Sequence, residues 1–213
     1  MEIRDLGIVA FAEAYNIQKQ LADSVLSDAA PETLLLLEHL PVYTIGCGGD
    51  ERNSLDPSIE VIRINRGGDI TFHGPGQLVG YPIVNLSLRG KDLHRYLRFL
   101  EELIILTAAD FGVDSHRVPG KTGVWTERGK LASIGVGARR WVTMHGFALN
   151  VKPLLAGFNR INPCGIKNCP LTSLEQESDS VLLLEQVKGR VMSRFERLFI
   201  EWLPKRHAMK TGR

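Results

Sequence analysis

The sequence predicts an α+β domain in which mixed and antiparallel strands are flanked by helices. Three observations predict it. Helical apolar spacing recurs near the start, the middle and the end of the chain. Strand-like runs fill the space between those stretches, and two turn signals cut one block of strands into an antiparallel meander. In chain order, "AFAEAYNIQKQLADSVLSD" puts Phe11, Ala14, Tyr15, Gln18, Leu21, Ala22 and Val25 on one face of an amphipathic helix. "TLLLLEH" and "VYTIG" read as buried strands separated by Leu40-Pro41. "IEVIRINR" alternates apolar and polar residues as a half-buried strand does, and "GQLVGYPIVNLSL" is the strand that follows the glycine-rich stretch between them. "DLHRYLRFLEELIILTAADFG" is a second long helix, with Asp92 near its start and Gly112 as its C-cap. From Gly123 to Val151, Arg128-Gly129 and Arg139-Arg140 divide three strand-like runs. "FNRINPCGIKNCPLTSLEQ", with prolines at 163 and 170, reads as loop. A last helix runs from about Asp179 to Trp202 and bears Leu183, Val187, Met192, Phe195, Leu198 and Phe199.

Length and composition bound what such a domain can be. At 213 residues the chain is one domain, 1–213, that can bury a core without metal or disulfide staples, and residues 204–213 form a basic, mobile tail. Hydrophobic residues at 44% and charged residues at 23% are ordinary for a globular protein, and the apolar runs are too short to span a bilayer. A net charge of +2 is too small to argue for nucleic acid or an anionic membrane, and neither is expected as a partner, while an acidic protein partner stays open. The N-terminus carries early acidic residues and no signal-peptide pattern, and three cysteines suit a reducing compartment, so a cytoplasmic location is expected.

Three features carry chemistry. "RGGDITFHGPGQLVGYPI", Arg66 to Ile83, concentrates glycines that let the backbone approach a ligand without Cβ obstruction. Its Gly74-x-Gly76-x-x-x-Gly80 spacing is not the dinucleotide fingerprint, and no Gly-Lys-Ser/Thr makes it a phosphate loop. A ligand loop and a plain hairpin turn with an exposed arginine both fit these residues. Cys164 sits between Pro163 and Gly165 on a loop, where a nucleophile is better placed than a core cysteine would be. A thiol with a pKa of about 8.5 is only a few per cent thiolate at neutral pH, so a nearby cation or base is required. Lys130 opens the strand "KLASIGVGA", whose small residues leave room for a chain-like ligand. A solvated strand-end lysine is the plainer reading of Lys130, and a structural histidine that of His145. Cys164 and Cys169 are too sparse for an all-cysteine zinc site, even with Cys47.

Taken together, "RGGDITFHGPGQLVGYPI", "GKTGVWTERGKLASIGVGARRWVTMHGFALNV", "INPCGI" and "LTSLEQE" resemble, in order, the lipoyl(octanoyl) transferase family over roughly residues 30 to 178. The resemblance implies the biotin/lipoate protein ligase-like fold. It also implies a cytoplasmic acyltransferase that needs no cofactor or metal. Such an enzyme moves octanoyl from octanoyl-acyl carrier protein to a lysine on lipoyl domains of 2-oxoacid dehydrogenases or on the glycine-cleavage H protein. By the same resemblance Cys164 is the acyl-thioester nucleophile, and Lys130 lowers its pKa or serves as general base. Arg66, Gly67, Gly68, Asp69, Ile70, Thr71, Phe72 and His73 match the acyl-substrate loop. Ser133, Ile134 and Gly135 match a second contact segment, Gly146, Phe147 and Ala148 a third, and His145 a supporting position. Cys47 and Cys169 match no catalytic cysteine, although Cys169 admits an oxidised pair with Cys164. Two other readings stand beside this one: an ATP-dependent lipoate or biotin ligase of the same fold, and a zinc or redox module without enzymatic activity.

Overall fold

The computed structural model describes residues 1–152 and 155–205. Ten strands and four α-helices alternate along the chain. A seven-stranded sheet takes β1 (Glu2–Val9), β2 (Thr33–His39), β6 (Gln77–Ile83), β10 (Val142–Asn150), β9 (Lys130–Arg139), β8 (Lys121–Trp125) and β7 (His116–Val118) in that spatial order. Only the β1–β2 pair is parallel, and the rest of the sheet is antiparallel. A second, three-stranded sheet orders β4 (Val61–Arg63), β3 (Val42–Ile45) and β5 (Thr71–His73).

Both faces of the large sheet are covered, which explains the unbroken "TLLLL" run of β2. With side chains alternating along a strand, Leu34 and Leu36 face α2 (Leu93–Ala109) and α4 (Leu184–Trp202) in one core cluster. Leu35 and Leu37 face α1 (Phe11–Leu26) in another. The small sheet has its own apolar patch of Ile45, Ile70, Phe72, Phe158 and Ile161.

The expected helices, central strands and meander are present, with differences in detail. β1 had no counterpart in the sequence reading: a bulge between Asp5 and Ile8 breaks its alternation, and most of its residues are only partly buried. The loop expected around Cys164 also carries a short helix, α3 (Leu174–Ser178). Asp179, expected to begin the last helix, is instead the left-handed C-cap of α3. The last helix therefore starts at Leu184, which leaves Leu183 ahead of it and exposed, and Met192 also faces outward. Asp92 caps α2 by accepting from the Arg95 N–H, as expected, whereas the C-cap falls on Asp110 and Gly112 takes a positive φ just beyond it. The tail expected at 204–213 lies outside the described residues from 206 onward.

Candidate active site

The small sheet is laid against the edge of the meander, and the candidate site forms in the seam. Cys164 lies in a one-turn 3-10 segment, Pro163–Gly165, with a left-handed φ of 57°. That conformation is costly for a residue other than glycine and persists only where its surroundings dictate it. Here the Cys164 N–H donates to the Ile70 carbonyl at 2.9 Å, and the Asn162 N–H donates to the Asn53 carbonyl at 2.7 Å. On the other side, the Lys130 N–H donates to the Pro170 carbonyl at 2.8 Å, and the Thr172 N–H donates to the Lys130 carbonyl. The Cys164 loop is thus tied to Asn53 and to Ile70, the residue ahead of β5, at its front and to β9 after Cys164.

Lys130 is not a solvated strand end. It is 1% exposed, and its Nζ donates to Cys164 Sγ at 2.9 Å. Its ammonium also lies 5.3 Å from the Trp125 ring centroid, within range of a cation–π attraction. The carboxylate of this region is engaged elsewhere, since Glu101 pairs with Arg98 and Arg117. Ser133 Oγ stands 3.9 Å from Cys164 Sγ.

Beside Cys164 opens a narrow, partly open cleft. Of the predicted glycine-rich loop, Arg66, Gly68, Asp69, Thr71 and His73 line it. Ile70 and Phe72 alternate away into the patch of the small sheet, and Gly67 is also not among the lining residues. Ser133, Ile134 and Gly135 of β9 line the opposite wall with His145, Gly146, Phe147 and Ala148 of β10. The side chains of Ile134 and Phe147 belong to the core under α2 and α4, so what they offer the cleft is backbone. Phe11, Ile64 and Tyr81 complete the lining. Sequence reasoning missed these three: Phe11 and Ile64 reach the cleft by tertiary packing, and Tyr81, though inside the glycine-rich stretch, reads as part of the strand that returns from it.

Arg66 is buried, which rules out the exposed arginine of a plain hairpin. Its guanidinium donates to the Thr44 carbonyl and Oγ1 and to the Gly67 and Asp69 carbonyls, all at 2.9 to 3.0 Å. Burial pulls Arg66 below the ordinary arginine range. Asp69 is also spent on the loop, with Oδ1 accepting from its neighbour's N–H and Oδ2 from Asn53 and the Asp50 N–H.

The histidines form a separate group at the cleft's far end. His39 bonds Val9 O through Nδ1 at 3.0 Å and Tyr81 Oη through Nε2 at 2.8 Å. A carbonyl only accepts, so Nδ1 carries the proton and Nε2 receives the phenol's hydrogen. His73 is oriented by a chain that starts at the Thr172 carbonyl. Asn150 donates to that carbonyl, Gln77 donates to Asn150 Oδ1, and Gln77 Oε1 accepts from His73 Nδ1 at 2.7 Å. Burial holds His73 down at about 3, with His39 adding to it, and holds His145 at about 3, with Arg66 adding to it. His39 is lowered by burial as well. At neutral pH this end of the cleft is uncharged.

His145 has φ 58°, and its ring stacks on Tyr15 of α1 at 5.5 Å although Met144, the residue before it, also faces α1. Consecutive residues of a regular strand cannot share a face. The left-handed turn at His145 is what permits it. Cys47 and Cys169 are free, as is Cys164, and among the described residues no three His, Cys, Asp or Glu side chains cluster as metal ligands would.

A family model described as the lipoyl protein ligase A/B catalytic domain matches residues 10–196. An octanoyltransferase of Pelobacter propionicus is 62% identical over 204 residues, covering 96% of this chain and 98% of that one. One from Geotalea uraniireducens is 62% identical over 210 residues, covering 99% and 98%. Among solved structures, the bipartite lipoate protein ligase of Thermoplasma acidophilum, studied with its E2 lipoyl domain, aligns with a TM-score of 0.70 at 14% identity, covering 93% of this chain and 84% of that one. The Aquifex aeolicus biotin protein ligase with biotin and ATP aligns with a TM-score of 0.59 at 12% identity, covering 95% and 72%. The two structural likenesses speak to the fold.

Proposed function

The chain belongs to the lipoyl protein ligase A/B catalytic-domain family, and on that premise we propose that it works through a Cys164 acyl-thioester, with octanoyl-acyl carrier protein as donor. The activity itself is acyl transfer of octanoyl in lipoate biosynthesis, with lipoyl domains as acceptors. What carries the covalent reading is the 2.9 Å contact between the buried Lys130 Nζ and Cys164 Sγ.

Covalent catalysis divides an exchange between two bulky proteins into two half-reactions on one small site. In the first, a bond forms between Cys164 Sγ and the thioester carbonyl carbon. The carrier's C–S bond breaks, and the proton from Cys164 passes by way of Lys130 to the departing thiol. In the second, the acceptor lysine's amine attacks the same carbon and the bond to Sγ breaks. The amine's surplus proton returns to Cys164 through Lys130. Thioester exchange is nearly balanced and amide formation runs downhill, so neither step calls for ATP. Backbone N–H groups beside Cys164 or along the glycine loop are the candidates to meet the carbonyl oxygen as it gains charge. The apolar tail occupies the cleft, where each buried methylene contributes about 0.8 kcal/mol. Three free cysteines fit the reducing cytoplasm that this reading assigns to the protein.

Intact-mass analysis after incubation with octanoyl-acyl carrier protein tests the assignment. The native chain gains one octanoyl group, located on Cys164 by peptide mapping, and Cys164→Ala gains none. An adduct that survives in Cys164→Ala and disappears in Cys169→Ala would move the nucleophile to Cys169. Pyrophosphate release from ATP with free octanoate, in place of any adduct, would favour a ligase.

A further inference from the structure

We infer that the aromatic and imidazole cluster at the far end of the cleft is the chain-length stop for the acyl group, and that Phe11 is the residue in it that sets the limit. The inference rests on the acyl-thioester reading above and deepens it.

The register of the meander supplies the scale. Ser133, beside Cys164, pairs with Ala148, and His145 pairs with Val136 three rungs further on. At about 3.4 Å per residue the two rungs are about 10 Å apart. An extended eight-carbon chain, with C–C bonds of about 1.5 Å in zigzag, spans about 9 Å. A tail attached at Cys164 and laid along β9 and β10 therefore ends where His145 begins.

The wall it meets is braced. His145 stacks on Tyr15 and meets Tyr81 edge to face at 6.0 Å, and its backbone N–H donates to Gln18 Oε1 at 2.7 Å. His39 is fixed at both ring nitrogens and His73 at one, as described above. Phe11 differs. It lines the cleft at the first residue of α1, packs against Tyr15 at 5.7 Å and His39 at 5.5 Å, and has no polar tether. It can be trimmed without breaking a hydrogen bond. The uncharged state of the surrounding imidazoles suits an apolar chain end.

The test uses the full chain with N-acetylcysteamine thioesters of hexanoic, octanoic, decanoic and dodecanoic acids in pairwise competition, read as acyl-enzyme by intact mass. The native chain favours octanoyl over decanoyl. Phe11→Ala shifts that ratio toward decanoyl by about fifteen-fold, the worth of two methylenes newly accommodated. Phe11→Leu, a milder change that guards against loss of folding, shifts it in the same direction by a smaller factor. Variants that melt cooperatively and form adducts in the native ratio would overturn the stop alone. Absence of any adduct on the native chain would overturn the acyl-enzyme reading and the stop with it.

Discussion

Lys130→Met separates the chemistry of the dyad from its structural role. The substitution keeps the length and most of the volume of the side chain while deleting the ammonium that lies 2.9 Å from Cys164 Sγ. If Lys130 shuttles the proton in both half-reactions, its loss costs about 10²- to 10⁴-fold in the rate of acylation, the usual worth of a positioned acid–base group. Stability moves differently. The cation–π contact with Trp125 is worth about 0.5 to 2 kcal/mol and is lost. Against that, the substitution also removes the cost of keeping from water a buried amine whose side-chain partner is Cys164. A methionine thioether fills the same slot against Gly123 and Trp125 without needing a counter-charge. The balance leaves the variant at least as stable as the native chain. Rapid-quench intact mass with octanoyl-acyl carrier protein measures the first quantity and calorimetry the second. Acylation within threefold of native would remove Lys130 from the proton path. A fall in Tm beyond about 8 °C, corresponding to about 2 to 4 kcal/mol in a chain of this size, would make it a structural strut.

Two further outcomes follow from the same geometry. Gly123 has φ +127°, and a Cβ there would stand 2.5 Å from the Ala132 carbonyl oxygen and 2.9 Å from Lys130 Cε. Gly123→Ala therefore costs about 1–3 kcal/mol in urea unfolding and slows acylation by displacing Lys130, and an unchanged urea midpoint would refute the clash. The buried histidines make the fold acid-sensitive. His73 and His145 are held at about 3, against an ordinary value near 6.5, so the unfolded chain binds protons that the native one refuses. Their contribution is complete above about pH 6.5 and is lost as pH falls toward 3. Each histidine adds up to about 1.4 kcal/mol per pH unit to that slope. His145→Gln lowers the slope between pH 6 and 4.5 by about one proton's worth, and equal slopes in denaturant titrations at several pH values would contradict it.

The parts of the fold that were legible in the sequence are those whose burial follows a local period. α1 shows its face through Phe11, Ala14, Gln18, Leu21, Ala22 and Val25, all buried as the spacing required. The meander announced itself by turns at Arg128-Gly129 and Arg139-Arg140 between small-residue strands. β1 was hidden because an edge strand carrying a bulge satisfies neither the alternating nor the continuous pattern. The start of α4 was misplaced because Asp179 closes one helix in the left-handed conformation, while its residue type also suits the opening of another. In the site, Cys164 and Lys130 stood out by their chemistry and by the blocks around them. Their 34-residue separation in the chain closes to 2.9 Å only through the Lys130–Leu171 bridge and the Cys164–Ile70 bond, which no spacing encodes. The same holds for Phe11, whose role depends on where α1 docks.

The glycine-rich loop owes its odd composition to charge as much as to flexibility. Arg66 has all four of its hydrogen bonds on neutral oxygens, two from Thr44 of β3 and two from the loop itself. The planar fork of a guanidinium can hold both groups at once, which a lysine ammonium cannot. A wider side chain at Gly135 would press on this arrangement, since its Cβ would come 3.1 Å from both Arg66 Cδ and the Gly67 carbonyl oxygen. Gly46 is tighter still, with a Cβ position 2.2 Å from the Gly68 carbonyl oxygen. The glycines are thus the condition for bringing β3, β9 and the loop close enough to bury one arginine whose guanidinium bonds neutral oxygens. Cys164 shares the cleft with Arg66 and accepts a hydrogen bond from Lys130, so on the proposed reading the attacking sulfur has two basic side chains for neighbours. Arg66, locked by its four hydrogen bonds, does not need to reorganise when negative charge develops in the cleft during the proposed transfer. An electrostatic environment built in advance of the reaction is worth most in such a partly buried, low-dielectric setting. The arginine that opens the loop thus acts through position, while Thr71 and His73, alternating on the same strand, supply part of the cleft surface.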